Sequence, residues 1–478
     1  LYATAGSTLF SALPAQLALA QRAVGGRTLL GTDYRSLVCI YLFGGNDPFN
    51  MLAPISGTPR LPYEATRTNL KIAPGDLLPL SPLAGGMPSD GGVYGLYKDM
   101  PGLASLFNSG KAAVIANVGP LVRPTTKALY GAGSVQLPAQ LFSHSDQTVQ
   151  WQTPRADATN RLGWGGQLAD IFFASNQNQV LSMNVSLFGE NVFQAGNVVS
   201  PYFMSPFGVE EIDLISTQSQ WNAQRRATFD AIQALNKEHI FERAYAGKVD
   251  RMRQTTAQVK DALTQIPDTN ALFHPFWTEL GLNPTANPRP ALPLLSRQLL
   301  MAARMIWLRN TLGMSRQLFF AGIGGFDTHD TQLADHPVLL RNLSQALKAF
   351  YDVLASPQMN IADRVTAFTA SEFGRTLSNN GDGTDHGWGS HHFVVGGSVR
   401  GQRIYGRMPE LSPSNQNGDD AGWGQIIPTL AADQYAATLA SWFGLSSNDR
   451  AVIFPNLQHY NSSIMAIQGA DLGFMNTL

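Results

Sequence analysis

The chain has a single cysteine, Cys39, so neither an internal disulfide framework nor a multi-cysteine zinc site can form within it. Charge is also sparse. Only 14% of residues are Asp, Glu, Lys or Arg, and 33 basic against 34 acidic side chains leave a formal net charge of -1. No basic stripe or long acidic run stands out, so no nucleic acid is expected as a partner. Beyond the N-terminal segment, no apolar run approaches the ~20 residues of a transmembrane span. Three catalytic signatures are missing: Gly-x4-Gly-Lys-Ser/Thr, His-Glu-x-x-His and Gly-x-Ser-x-Gly. What remains is 478 residues with a hydrophobic fraction of 44%, the material of a large packed globule without repeats or low-complexity tracts.

Residues Leu1 to Ala23 are rich in Ala, Leu and Ser and carry no acid, and Leu17-Ala-Leu-Ala20 has the small-residue end of an export signal. Segment 1–30 is therefore expected to be an export-signal remnant or an N-terminal helix, and the protein periplasmic or secreted.

Short apolar, β-branched runs recur at Ser36–Phe43, Ala112–Val118, Gln317–Ile323, Arg364–Thr369 and His392–Val395. Helical patterns, as in Leu299–Leu312 and Pro337–Leu354, separate several of them. This alternation predicts an α/β fold with a mostly parallel central sheet and helices on both faces. Ligands of such sheets sit beyond the carboxyl ends of the strands. Trp221–Ile266 is long, charged and poor in glycine, with apolar residues at helical spacing. It reads as part of an inserted helical segment, about 208–312, within a single domain covering 31–478. A cap or a packing layer with a solvated face would both explain it.

Chemistry concentrates in the C-terminal half, where five of the nine histidines fall between His329 and His392. Asp327 and His329 follow an apolar run and, on an extended backbone, project to one face as a carboxylate and an imidazole. Glu372 and Arg375 leave the next strand end as a candidate metal ligand and a candidate clamp for an anion; an internal ion pair explains them equally. Asp385-His386 between glycines offers two ligands on one loop. Of His391 and His392, which alternate on a strand, at most one should reach the site. Asp47, in Gly44-Gly-Asn-Asp47, can supply a further carboxylate, or simply shape a turn. Ser143, beside His144, stands before a helix. It is either a nucleophile or an N-cap, and His144 or His391 can move protons. Trp388 and Trp423, with their neighbouring glycines, are candidates to line a pocket for a sugar or aromatic ring, or simply core residues.

Taken together, Gly44-Gly-Asn-Asp47, Ser143-His144, Gly325-Phe-Asp-Thr-His329, Ser371-Glu-Phe-Gly-Arg-Thr376 and Asp385-His-Gly-Trp-Gly389 resemble a bacterial family called domain of unknown function 1501. Its members usually carry twin-arginine export signals and fall within the alkaline-phosphatase-like and sulfatase-like superfamily. The resemblance implies an alkaline-phosphatase-like fold and a metal centre for phosphate- or sulfate-ester chemistry. It makes Asp47, Asp327, His329, Asp385 and His386 the metal ligands and puts Ser143 where the superfamily nucleophile is expected. Two positions depart from better-known relatives: Glu372-Phe373 stands where they carry Asp-His, and the earlier Asp and His, spaced by three residues in them, are separated here by the single Thr328.

The expected function is thus an exported metal-dependent hydrolase or transferase acting on an anionic small-molecule or saccharide ester. One or two divalent ions (zinc, calcium or manganese) would assist it. Two alternatives stand beside this reading: a redox catalyst using copper or iron on the same ligands, and a non-catalytic binding protein.

Overall fold

All five apolar runs form strands. We label the strands of the main sheet in chain order: β1 (Arg35–Leu42), β2 (Ala112–Gly119), β3 (Asn184–Ser186), β4 (Tyr202–Phe203), β5 (Arg316–Ile323), β6 (Val365–Ala370), β7 (Ser390–Gly396), β8 (Ile404–Tyr405) and β9 (Leu430–Ala431). The computed structural model describes residues 33–157, 162–212, 215–216 and 220–476, and the signal-like segment 1–30 lies outside them.

The strands are ordered β8-β2-β7-β6-β1-β5-β3-β4, with β9 also pairing β2. β1 runs parallel to both β5 and β6 at the centre. β7 alone is reversed, lying antiparallel to β2 and β6. The sheet is mostly parallel, as the strand–helix alternation predicts, but that alternation gives no sign of the reversed strand.

Alternation along β1 explains why the strand reads as one unbroken apolar run. Val38, Ile40 and Leu42 enter one buried core, packed by the helices Pro101–Asn108, Leu294–Trp307 and Gln332–Ala355. Leu37, Cys39 and Tyr41 enter a second core, packed by Trp164–Phe172 and Ala432–Phe443. A strand buried on both faces needs apolar residues at both parities. The same split recurs in β5, where Phe319 and Ala321 face the first core and Leu318 and Phe320 the second.

The helical pattern near Pro337 extends further back than its proline suggests. The helix spans Gln332–Ala355 with Pro337 inside it. The amide of Gln332 is held by the Asp382 carbonyl at 3.1 Å, which anchors this early start. Between β4 and β5 lie the helices Ala223–Ala234 and Ile240–Thr264, largely exposed along their length. Among the described residues, no helix is long and apolar enough to cross a membrane.

Candidate metal centre

The topology gathers the candidate residues at one edge of the sheet. Asp47, Asp327 and Glu372 follow the carboxyl ends of β1, β5 and β6. Because β7 is reversed, its amino-terminal end lies at that same edge, and the loop before it delivers Asp385 and His386. His144 arrives from across the edge, at the first turn of the helix His144–Gln152.

Glycine lets these loops touch. Gly44 has φ +116°, and a Cβ there would sit 2.3 Å from the amide nitrogen of Asp327, so only glycine allows the loops after β1 and β5 to pack backbone to backbone. Gly383 likewise approaches the His329 carbonyl, where a Cβ would meet its oxygen at 2.3 Å.

Within this frame the side chains converge on Asp327. Its carboxylate lies 3.3 Å from His144 Nε2, 3.0 Å from His329 Nε2 and 3.3 Å from His386 Nε2. His329 Nε2 and His386 Nε2 are 3.0 Å apart. Each ring has an acceptor at its other nitrogen. His144 Nδ1 meets Glu372 Oε1 at 2.8 Å, His329 Nδ1 meets Asp385 Oδ1 at 3.1 Å, and His386 Nδ1 donates to the Phe142 carbonyl at 2.8 Å.

These partners decide the tautomers. An imidazole that donates from Nδ1 carries, when neutral, a lone pair on Nε2. Three lone pairs and a carboxylate then point at one small volume, and lone pairs facing each other at 3.0 Å repel unless a cation lies among them. His144, Asp327 and His386 each offer a ligand atom within 4.8 Å of the others. A nitrogen and oxygen set of this kind, each imidazole backed by a carboxylate or carbonyl, fits a divalent metal.

Burial and neighbouring charges shift these groups in different directions. The hydrogen bond to Glu372 raises the His144 pKa against the effect of burial. Burial lowers that of His386. Burial also opposes ionisation of Asp327, but the Arg375 hydrogen bond and the neighbouring charges outweigh it and hold the carboxyl below its ordinary range.

The structure brings together Asp327, His329, Glu372, Asp385, His386 and His144. It does not bring Asp47 among them. Asp47 is fully buried, caps the backbone amide of Phe49 at 2.9 Å, and pairs with Arg67 and Gln332. Arg375 is also fully buried. Its donors go to Asp327 at 2.5 Å, to the Gly44 carbonyl at 3.2 Å and to Thr384, so a substrate anion would meet it only by displacing one of these.

The Ser143 hydroxyl donates to Asp146 at 2.5 Å and accepts that residue's amide at 3.5 Å, the geometry of an N-cap. His391 is buried in β7 and accepts the Asn117 amide at Nδ1. His392 packs against Trp151 and Tyr435, and neither histidine joins the converging group. Sequence reasoning missed Gln332, a buried hub bonded to Asp47, Thr328 and Thr384. A glutamine in a helical run carries no signal of that role.

The buried histidines outside the cluster make acid sensitivity predictable. Burial depresses the pKa of His336 and His391 to about 4 and of His392 to about 3. Folded values below the unfolded one mean that stability is fully present above about pH 6.5. It is lost as pH falls, because the unfolded chain then binds protons that the folded chain refuses. With three such groups, stability should fall by up to about 4 kcal/mol per pH unit between roughly pH 6 and 4. Urea midpoints at pH 7 and pH 5 check this, and equal midpoints would contradict it.

A family model described as a protein of unknown function, DUF1501, matches residues 91–419, well over half of the chain. No curated protein matches it.

Proposed function

The chain belongs to the DUF1501 family, proteins of unknown function, and from that premise we propose that it is a metal-dependent hydrolase or transferase of an anionic phosphate or sulfate ester. The observation that carries this reading is the convergence of three imidazole Nε2 atoms on Asp327, each ring oriented through Nδ1. His144, His329, His386 and Asp327 would hold a divalent ion. When bound, such an ion supplies Lewis-acid polarisation of an ester oxygen and activates a hydroxyl or water. Glu372 and Asp385 orient His144 and His329 by accepting their Nδ1 protons, and Arg375 fixes Asp327. The position of the cluster at the carboxyl edge of a mostly parallel sheet supports an alkaline-phosphatase-like classification of the fold. Residues 208–312 are read as an insertion into it. Export to the periplasm or medium is part of the same proposal and rests on the signal-like segment 1–30.

Purified protein should hydrolyse generic aryl phosphates or sulfates, lose that activity to a chelator and regain it with added zinc or manganese. Activity untouched by the chelator would sink the metal reading. Ser143→Ala separates two nucleophiles. With the hydroxyl engaged as a cap, the variant should lose about 1 kcal/mol of stability and keep its rate. A variant that keeps its stability and loses turnover would make Ser143 the nucleophile instead.

A further inference from the structure

Among the described residues, Trp423 is the most exposed large apolar side chain, 86% open to solvent. Its backbone has φ +59°, in the left-handed region that bulky aromatic residues rarely occupy. A solvated indole gains no burial energy there, so nothing in the packing explains why a strained position should carry this residue rather than glycine or asparagine.

The turn that displays it is rigid. The buried carboxylate of Asp420 accepts the amides of Gly422 at 2.8 Å and Gly424 at 2.9 Å, and Ala421 and Gln425 close the turn through their backbones. The turn is also fastened to the metal loops. The Gly424 carbonyl accepts the Leu377 amide at 2.8 Å, Gln425 Nε2 donates to the His386 carbonyl at 3.3 Å, and the Ile426 carbonyl accepts the Gly389 amide. On the other side of this chain segment, Thr376 pairs with the Asp385 carbonyl. The turn that carries Trp423 is therefore bonded to both segments, Thr376–Leu377 and His386–Gly389, that border the cluster.

We infer that Trp423 is a stacking platform for the ring of the substrate. This rests on the anionic-ester reading and sharpens it: the ester carries a ring with an apolar face, the planar face of an aryl group or the C–H face of a pyranose, on the side away from the anion. An indole face is suited to such a ring, and strain held at such a position is typical of groups kept for a ligand.

Calorimetric titration of the metal-loaded full chain tests it, with phenylphosphonate, glucose 6-phosphate, methylphosphonate and inorganic phosphate as probes. Whichever ring-bearing probe matches the substrate, aryl or pyranose, should bind about 10-fold tighter than the two ringless anions. Trp423→Gly should erase that advantage, leave the ringless anions unchanged and keep or raise the melting temperature; Trp423→Phe should retain most of it. A melting temperature that falls in Trp423→Gly, or a loss shared by all four probes, would overturn the platform, as would no loss at all. If no anion binds either protein, phenyl sulfate and inorganic sulfate included, the ester reading fails on its own. Phenyl glucoside then decides the platform: saturable binding lost in Trp423→Gly keeps it, and no binding removes it.

Discussion

Arg375→Ala should lower stability by about 3–5 kcal/mol, because it removes a buried guanidinium with four protein acceptors, and hydrogen bonds to a charged group contribute roughly 1.5–3 kcal/mol each. The side chain is fully buried, and its donors serve Asp327, the Gly44 carbonyl and both the hydroxyl and carbonyl of Thr384. Those acceptors lie on three separate loops, so the loss would spread across the whole sheet edge. Burial lowers the Arg375 pKa and the contact with Asp327 opposes this, which is the balance expected of a cation held inside by its partners. Arg375→Lys should restore little, because a single ammonium cannot reach four acceptors laid out for a planar fork. Urea unfolding at pH 7 reads the effect. A loss below about 1 kcal/mol would mean that the loops hold together without it.

Asp327→Asn is the second large effect. The substitution keeps an acceptor for Arg375 and nearly the same shape, but removes the charge on which His144, His329 and His386 converge. Metal affinity should fall further than in Glu372→Gln, where the loss of an outer partner typically costs roughly 10–100-fold. Turnover should disappear with the metal. Competition against a chromogenic chelator gives both affinities. If Glu372→Gln proved the more damaging of the two, the roles assigned to these carboxylates would have to be exchanged.

Much of this edge could be read from residues alone, for a physical reason. Strands buried on both faces leave unbroken apolar runs, so Ser36–Phe43 and Gln317–Ile323 stand out in the sequence, and the polar groups just beyond such runs have to lie at the strand ends. Asp327, His329 and Glu372 are visible in that way, and Asp385 and His386 as two ligand types side by side on a loop flanked by glycines. The role of Asp47 is not. A carboxylate after a Gly-Gly turn looks the same whether it faces solvent or is enclosed by Arg67 and Gln332, two residues far from it in sequence. The reversal of β7 was equally hidden, because alternation along a strand carries no direction. Trp423 is legible in the sequence as a candidate to line a ring-binding pocket or as a core residue, but its exposure and backbone are not. Its left-handed backbone depends on the Asp420 carboxylate, which periodicity cannot anticipate.

The claim on which the rest depends is that three oriented imidazoles and Asp327 surround a cation. Elemental analysis of protein purified without chelator or added metal tests it most directly, with Asp327→Asn measured in parallel. Convergence of the three Nε2 atoms predicts one or two equivalents of a divalent metal in the wild type, together with higher thermal stability than the chelated form. The variant should carry little or none. Wild-type protein without metal, and with no stability gain on adding zinc, manganese, calcium or iron, would contradict it.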